Sequence, residues 1–340
     1  VRQKPLFLLI AFLLISIMIG GCTSMESTKV ITPKIEKYPN KPITILIPWS
    51  AGSPTDLIAR ILEKLSLKYL HQPIIVVNRP GGTGTIAWNE LSASNPDGYT
   101  IGISSCELLL QPLFVSTKYD YATALDPLAQ ITATPFVMFV KADQPWQSVN
   151  DLISYAKQHP GQVKFGHSGI GSLGHIVGET FCKETNITMN QVPFQGAPEV
   201  ISALLGGHIQ VAILNPGSVK NFVQNGTIKI LAVASKKHLT DPILADAKTF
   251  QEQGINIFYN SRYGIAVPKE TPMAIKDALA EELKKIITDP EFKKSVENLG
   301  LQYEYLGPKE SEERWLTDRR ELTKALQETG ILDLIKSQKQ

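Results

Sequence analysis

Apolar residues follow three patterns along this chain, and each predicts a different element. Short unbroken runs, ITILI at 43–47 and IIVV at 74–77, read as buried strands. Apolar positions spaced near 3.6, Leu57, Ile58, Ile61, Leu62, Leu65 and Leu70, predict an amphipathic helix over 55–70. The third pattern is the apolar run from Leu6 to Ile19, which follows Arg2 and Lys4. It is too short for a spanning helix, which needs about 20 apolar residues.

The first two patterns alternate down the chain. A second helix is expected from about Thr83 and a strand at 98–104. A further strand, PFVMFV, is expected at 135–140, followed by the linker KADQPWQSV. Helices are then expected at 151–158, 171–184, 199–205 and 219–223, with strands at 162–166, 192–194, 209–214 and 228–234. The stretch 235–256 is irregular. YGIAVP reads as a strand, then come helices at 272–287, from Pro290, and at 310–326. Such alternation predicts an α/β protein with a mostly parallel sheet. The C-terminal part is too poor in strands to fold alone, so it should pack back on the first lobe. The expected division is lobe one at 41–140 plus 259–340 and lobe two at 141–258, with a hinge near 140 and 259.

A basic start, an apolar core and then Gly20-Gly21 read as a signal peptide over 1–21. Ile19-Gly20-Gly21-Cys22 resembles the lipobox of bacterial lipoproteins, in which the cysteine carries lipid. Residues 22–40 are polar, without apolar period, and read as a tether. The expected location is outside the cytoplasm, anchored to the membrane by Cys22.

Composition narrows the function. The leader holds two basic and no acidic residues, so the rest of the chain is close to neutral. No basic stripe suggests nucleic acid. Cys106 and Cys182 are far apart and fit two separate thiols, although an extracytoplasmic setting also permits a disulfide between them. The six histidines are scattered, so no metal shell is expected.

Candidate chemistry sits in six loops, each following a predicted strand. Three belong to lobe one: Ser50-Ala51-Gly52-Ser53-Pro54-Thr55-Asp56, Arg79–Gly84, and the turn with Ser104, Ser105 and Cys106. Three belong to lobe two: Gly166–Ser172 with His167, Ser168 and Ser172, Gln195–Glu199 with Ala197, and Asn215–Ser218. Glycine permits close backbone approach, and free N–H groups at helix starts hold anions without a cationic side chain. There is no dinucleotide fingerprint and no P-loop. Gly166-His167-Ser168-Gly169 lacks a residue of the nucleophile elbow. Asp56 and Glu199 could form an acid–base pair, but both stand at helix starts, where a carboxylate caps N–H groups. No catalytic constellation stands out, and an enzyme is not expected.

The segments KPITILIPWSAGSPTDLIARILEKL, QPIIVVNRPGGTGTIAWNELSASNPDGYTIGI, PGQVKFGHSGIGSLGHIVGETF, VPFQGAPEVISALLGGHIQVAILNPGSVKNFVQNGTIKILAVAS and YGIAVPKETPMAIKDALAEEL carry a family resemblance. In this order they resemble the substrate-binding proteins of tripartite tricarboxylate transporters, the Bug receptors, over nearly all of residues 38–340. The resemblance implies a two-lobed periplasmic-binding-protein-like (Venus flytrap) fold, with the ligand between the lobes. It implies a monomeric receptor for a small carboxylate and delivery to a membrane permease of one large and one small subunit. It implies no cofactor. The alternative is a ligand-sensing lipoprotein without a permease.

Carried over by position, ligand contacts would come from Ser50 to Asp56, from Ser104, Ser105 and Cys106, and from His167, Ser168, Ser172, Ala197 and Asn215. Trp49, Ser53, Cys106, Asn215 and Arg262 depart from the common pattern. Arg262 would be either a solvated or salt-bridged hinge arginine or a second carboxylate contact, and the loss of a negative charge at Asn215 would favour a more anionic ligand. Together they favour a di- or tricarboxylate.

Overall fold

The computed structural model describes residues 38–339. The leader, Cys22 and the tether up to residue 37 lie outside the described residues. The chain order runs β1 (Ile43–Ile47), α1 (Pro54–Tyr69), β2 (Ile74–Asn78), α2 (Thr85–Ser92), β3 (Thr100–Ser104), α3 (Cys106–Phe114), α4 (Tyr121–Ala124) and β4 (Leu125–Pro135). It continues with β5 (Val137–Lys141), α5 (Val149–Gln158), β6 (Lys164–His167), α6 (Leu173–Thr185), β7 (Asn190–Pro193), α7 (Ala197–Leu205), β8 (Val211–Leu214), α8 (Lys220–Gln224) and β9 (Ile228–Val233). The last part comprises β10 (Asn260–Pro268), α9 (Met273–Ile287), α10 (Pro290–Asn298), β11 (Tyr303–Leu306), α11 (Pro308–Glu328) and α12 (Ile331–Lys339).

Two sheets result, a six-stranded one ordered β11-β4-β10-β3-β1-β2 and a five-stranded one ordered β7-β6-β8-β5-β9. β1 lies between β2 and β3, parallel to both. A strand covered on both faces needs apolar residues throughout, which is why ITILI does not alternate. α1 covers this sheet with Ile58, Ala59, Leu62 and Leu65, all buried. Its start is set by Ser53 as cap and Pro54 in the first turn.

Both sheets are more mixed than the alternation predicted. β10 runs antiparallel to β3 and β4, and β5 runs antiparallel to β8 and β9. The cause is the crossing between sheets. β4 leaves the first sheet at Pro135 and, after Phe136, the chain enters the second sheet as β5. β10 returns beside it, with Asn260 opposite Pro135. A strand that comes back through the same gap must run the other way.

This geometry moves two expected boundaries. Residues 137–140 pair within the second sheet, so the chain changes sheet at Phe136 instead of near 140. The C-terminal end does not stay with the first sheet either. Leu326, Ile331, Leu332 and Ile335 share one buried cluster with Ile176, Val177 and Phe181 of α6 and with Leu110 and Phe114 of α3. That strap of apolar residues ties the two halves together. Among the described residues, no helix is long and apolar enough to cross a membrane.

Candidate functional site

Successive residues of β10 face opposite sides of the sheet. Tyr263 faces a small pocket between the two sheets, and Arg262 faces a broad groove behind them. The pocket is walled from the first sheet by Trp49, Ser53, Pro54, Thr55, Glu107 and Tyr263. The second sheet contributes Ser168, Ala197, Leu214, Asn215 and Ser218, with Phe136 at the crossing. Its volume is about 20 Å³, close to that of one water. It adjoins a cavity of about 550 Å³ that shares Trp49 and Ser168 and is rimmed by Thr83, Gly169, Phe194 and Lys339.

Starts of helical segments converge on the pocket. Ser53 and Thr55 open α1, with their hydroxyls 3.0 Å apart. Ala197 is the first residue of α7. Asn215 caps the single turn Pro216–Ser218, accepting the Gly217 N–H at 3.2 Å. No Lys, Arg or His lines the pocket. Any positive potential there comes from N–H groups and helix ends.

Four lining residues carry buried polar atoms without a partner in the protein: Trp49 Nε1, Asn215 Nδ2, Ser218 Oγ and Glu107 Oε2. The nitrogens and the hydroxyl can donate, whereas an ionised Glu107 can only accept. An unpartnered buried polar group costs about 1–3 kcal/mol, so four around one small space mark a place kept for a ligand.

The two walls also touch each other directly. Thr83 donates to the Ile170 carbonyl at 2.9 Å, Gln111 to the Gly171 carbonyl at 3.0 Å, and the Leu173 N–H to Glu107 Oε1 at 3.2 Å. Gly169 has φ of +111°, and a Cβ there would fall 2.4 Å from the Thr83 hydroxyl. Only glycine allows the loops to close this far.

Five of the expected contacts, Ser53, Thr55, Ser168, Ala197 and Asn215, meet at the pocket. The others lie elsewhere. Ala51 and Gly52 are on an exposed turn, and Ser50 packs against Gly196 of the opposite wall. Asp56 braces its own loop, taking the Gly52 N–H at 2.9 Å and Asn78 Nδ2 at 3.1 Å. Ser104 is buried in β3 opposite Gly264, and Ser105 is the buried residue before α3. Cys106 turns away from the pocket, its sulfur 3.6 Å from the Asn260 carbonyl, and burial pushes its thiol up to about 12. Cys106 and Cys182 are both free thiols.

His167, expected to meet ligand, is fully buried and used internally. Its ring stacks on His175 with centroids 4.4 Å apart. Nδ1 faces the Gly169 carbonyl at 2.9 Å and Nε2 the Gln191 amide at 2.8 Å. Burial, with His175 beside it, lowers its pKa to about 3, so the ring is neutral. Ser172 caps α6 through the His175 N–H. Arg262 binds both carboxylate oxygens of Asp318, at 3.0 and 2.9 Å, in the rear groove. The expected second carboxylate contact is therefore absent from the pocket wall, because the side chain alternates to the other face of β10.

Trp49, Glu107, Ser218 and Tyr263 were not among the expected contacts. Glu107 had a signal: it is the one charged residue in CELLLQPLF, an otherwise apolar stretch with a single amide. A charge inside such a run is costly unless something requires it.

Comparison with known proteins agrees with this architecture. A family model described as tripartite tricarboxylate transporter family receptor matches residues 58–330. Protein BugT of Bordetella pertussis is 30% identical over 240 residues, covering 69% of this chain and 73% of BugT. The structure of R. palustris Rpa4515 with adipate superposes with a TM-score of 0.81 at 26% identity, covering 86% of this chain and 98% of that one. A TctC solute-binding protein from Polaromonas, solved with no ligand, gives 0.61 at 30% identity, covering 83% and 96%. The fold is that of periplasmic binding proteins, and the matching family is one of receptors. This chain, with its two sheets and the pocket between them, belongs to the tripartite tricarboxylate transporter receptor family.

Proposed function

We propose that this protein is an extracytoplasmic receptor that captures a small organic carboxylate between its lobes and hands it to a two-subunit membrane permease. The observation that carries the reading is the set of unpartnered donors, Trp49 Nε1, Asn215 Nδ2 and Ser218 Oγ, around a pocket without cationic side chains. A carboxylate has about four lone-pair sites and suits such a set. The adipate held by the R. palustris relative supports the ligand class. Lipid on Cys22 would keep the receptor beside its permease. The argument for a tricarboxylate weakens, because Arg262 is occupied by Asp318.

The pocket is too small for adipate as it stands, so entry requires the walls to part. The direct contacts Thr83–Ile170 and Gln111–Gly171 must break and re-form around the ligand. Greater similarity to the adipate-bound relative than to the ligand-free one supports a closed arrangement. Closure then acts as a population shift about the crossings at Phe136 and Tyr259.

A thermal-shift screen with mono-, di- and tricarboxylates tests the ligand class. A true ligand at a hundredfold excess over Kd stabilises by about 2.7 kcal/mol. No shift with any carboxylate at millimolar concentration would overturn the reading. Uptake into vesicles carrying the permease should require the receptor. Mass spectrometry of membrane-extracted protein should find diacylglyceryl on Cys22, and Cys22→Ser should abolish it.

A further inference from the structure

Glu107 does not fit a pocket built only for an anion. It is 98% buried by its 2% relative exposure, it lines the pocket, and Oε2 has no partner in the protein. Oε1 accepts the Leu173 N–H at the start of α6. Glu107 itself stands in the first turn of α3. Two helix starts therefore favour its ionised form. Burial works against that form and raises its pKa, while the nearby Ser105 hydroxyl and the Leu173 N–H oppose the rise. No basic side chain lines the pocket to compensate the charge.

Alone in the pocket this carboxyl is held toward its neutral form by burial, and a cationic group laid against Oε2 reverses that and leaves it ionised, whereas a second carboxylate does not. Ionised, Glu107 attracts a donor, and a cationic donor most, because charge-assisted bonds are about twice as strong as neutral ones. The pocket thus offers two chemistries. Trp49, Asn215 and Ser218 present donors for an anionic end, and Glu107 presents one acceptor for a cationic group.

We infer that Glu107 is a specificity-determining residue that pairs with an ammonium group on the ligand, so the preferred ligand is an amino-substituted carboxylate. The inference rests on the proposed carboxylate-receptor function and narrows its substrate class. The ligand brings the cation that the wall lacks, and the pair leaves no buried charge alone. A hydroxyl at the same carbon could reach Oε2 but would leave the charge uncompensated.

Matched ligands separate these cases. Titration calorimetry on the full chain would compare succinate, malate and aspartate, which differ only in bearing hydrogen, hydroxyl or ammonium. Glutarate, 2-hydroxyglutarate and glutamate would repeat the comparison one carbon longer, and adipate with 2-aminoadipate two carbons longer. The expected result is at least about tenfold tighter binding of the amino member of one set, as for a charge-assisted hydrogen bond. Glu107→Gln should remove most of that preference while keeping the Leu173 contact through its amide oxygen. Binding of unsubstituted or hydroxylated members at equal or higher affinity would overturn the inference and leave the carboxylate reading standing. An amino preference unchanged in Glu107→Gln would also overturn it. No binding by any member would overturn the carboxylate reading and this inference with it. The wild-type ratio needs no variant, so the test survives even if Glu107→Gln fails to fold.

Discussion

The two cavities beside the crossing strands rank oppositely in size and in unsatisfied chemistry. The rear groove is about 1100 Å³ and the pocket about 20 Å³. Yet the groove's least exposed charges are already matched, Arg262 by Asp318 and Lys220 by Asp241 at 2.7 Å, and others such as Lys236, Lys237 and Glu321 are exposed. Among the described residues lining it, only Arg262 Nε is buried without a partner. The pocket has four such atoms in a fiftieth of the space. Volume therefore does not locate the site here. A groove whose charges are paired or exposed to water can stay open at no cost, whereas unpartnered buried atoms need a ligand to justify them.

The largest effect expected is on the rear face. Arg262→Gln leaves Asp318, which is only 6% exposed, buried without its partner. The fold should lose about 2–4 kcal/mol by denaturant titration, and adding Asp318→Asn should restore much of it. Ligand affinity should stay within about twofold of wild type, since removing a group that does not touch the ligand costs little. A selective loss of dicarboxylate binding would show that Arg262 reaches the ligand and erase the contrast between the cavities.

On the pocket face the pattern should reverse. Asn215→Ala removes a donor and the cap of the Pro216–Ser218 turn. Affinity should fall by about 1.5–3 kcal/mol, the range for a hydrogen bond to a charged group. Calorimetry with the tightest carboxylate reads this directly, and an affinity unchanged by Asn215→Ala would move the site elsewhere.

Acid should act through His167, the buried neighbour of the pocket residue Ser168. The pKa of His167 lies near 3 in the fold, against about 6.5 in an unfolded chain. Below pH 6.5 the unfolded chain binds a proton that the folded one refuses. Stability from this group is present above pH 6.5 and falls as pH drops toward 3, by up to about 1.4 kcal/mol per pH unit. His167→Gln should flatten that slope, and an unchanged slope would show that the ring is not held neutral. The smallest effect is expected from Ser168→Ala, at about 0.5–1.5 kcal/mol in affinity, because its half-buried hydroxyl is one donor among several.

Much of the scaffold was readable from pattern alone. The runs at 43–47 and 74–77, the period of α1 and the turns after the strands all appear where periodicity and capping residues put them. Local rules suffice there, because an element's own residues state which face is covered. β4 escaped notice: DPLAQITATP mixes proline and polar residues, and its burial comes from β10 and β11 on either side. α12 was missed because Gly330 separates a short apolar group from the longer helix before it.

The site was legible as a set of loops but not as a set of contacts. Strand-to-helix turns rich in Ser, Gly and Asn announced themselves in the sequence, and Ser53, Thr55, Ser168, Ala197 and Asn215 came from that signal. Which side chain within a loop turns inward depends on its neighbours. Asp56 is drawn to Gly52 and Asn78, and His167 to His175 and Gln191. The sequence by itself determined the α/β alternation, the two sets of loops and the family resemblance, because these rest on residues close together in the chain. Only the tertiary structure decided that Arg262 faces Asp318 and that Glu107 enters the pocket. Both outcomes depend on partners 56 and 66 positions away, Asp318 and Leu173, which no local pattern connects.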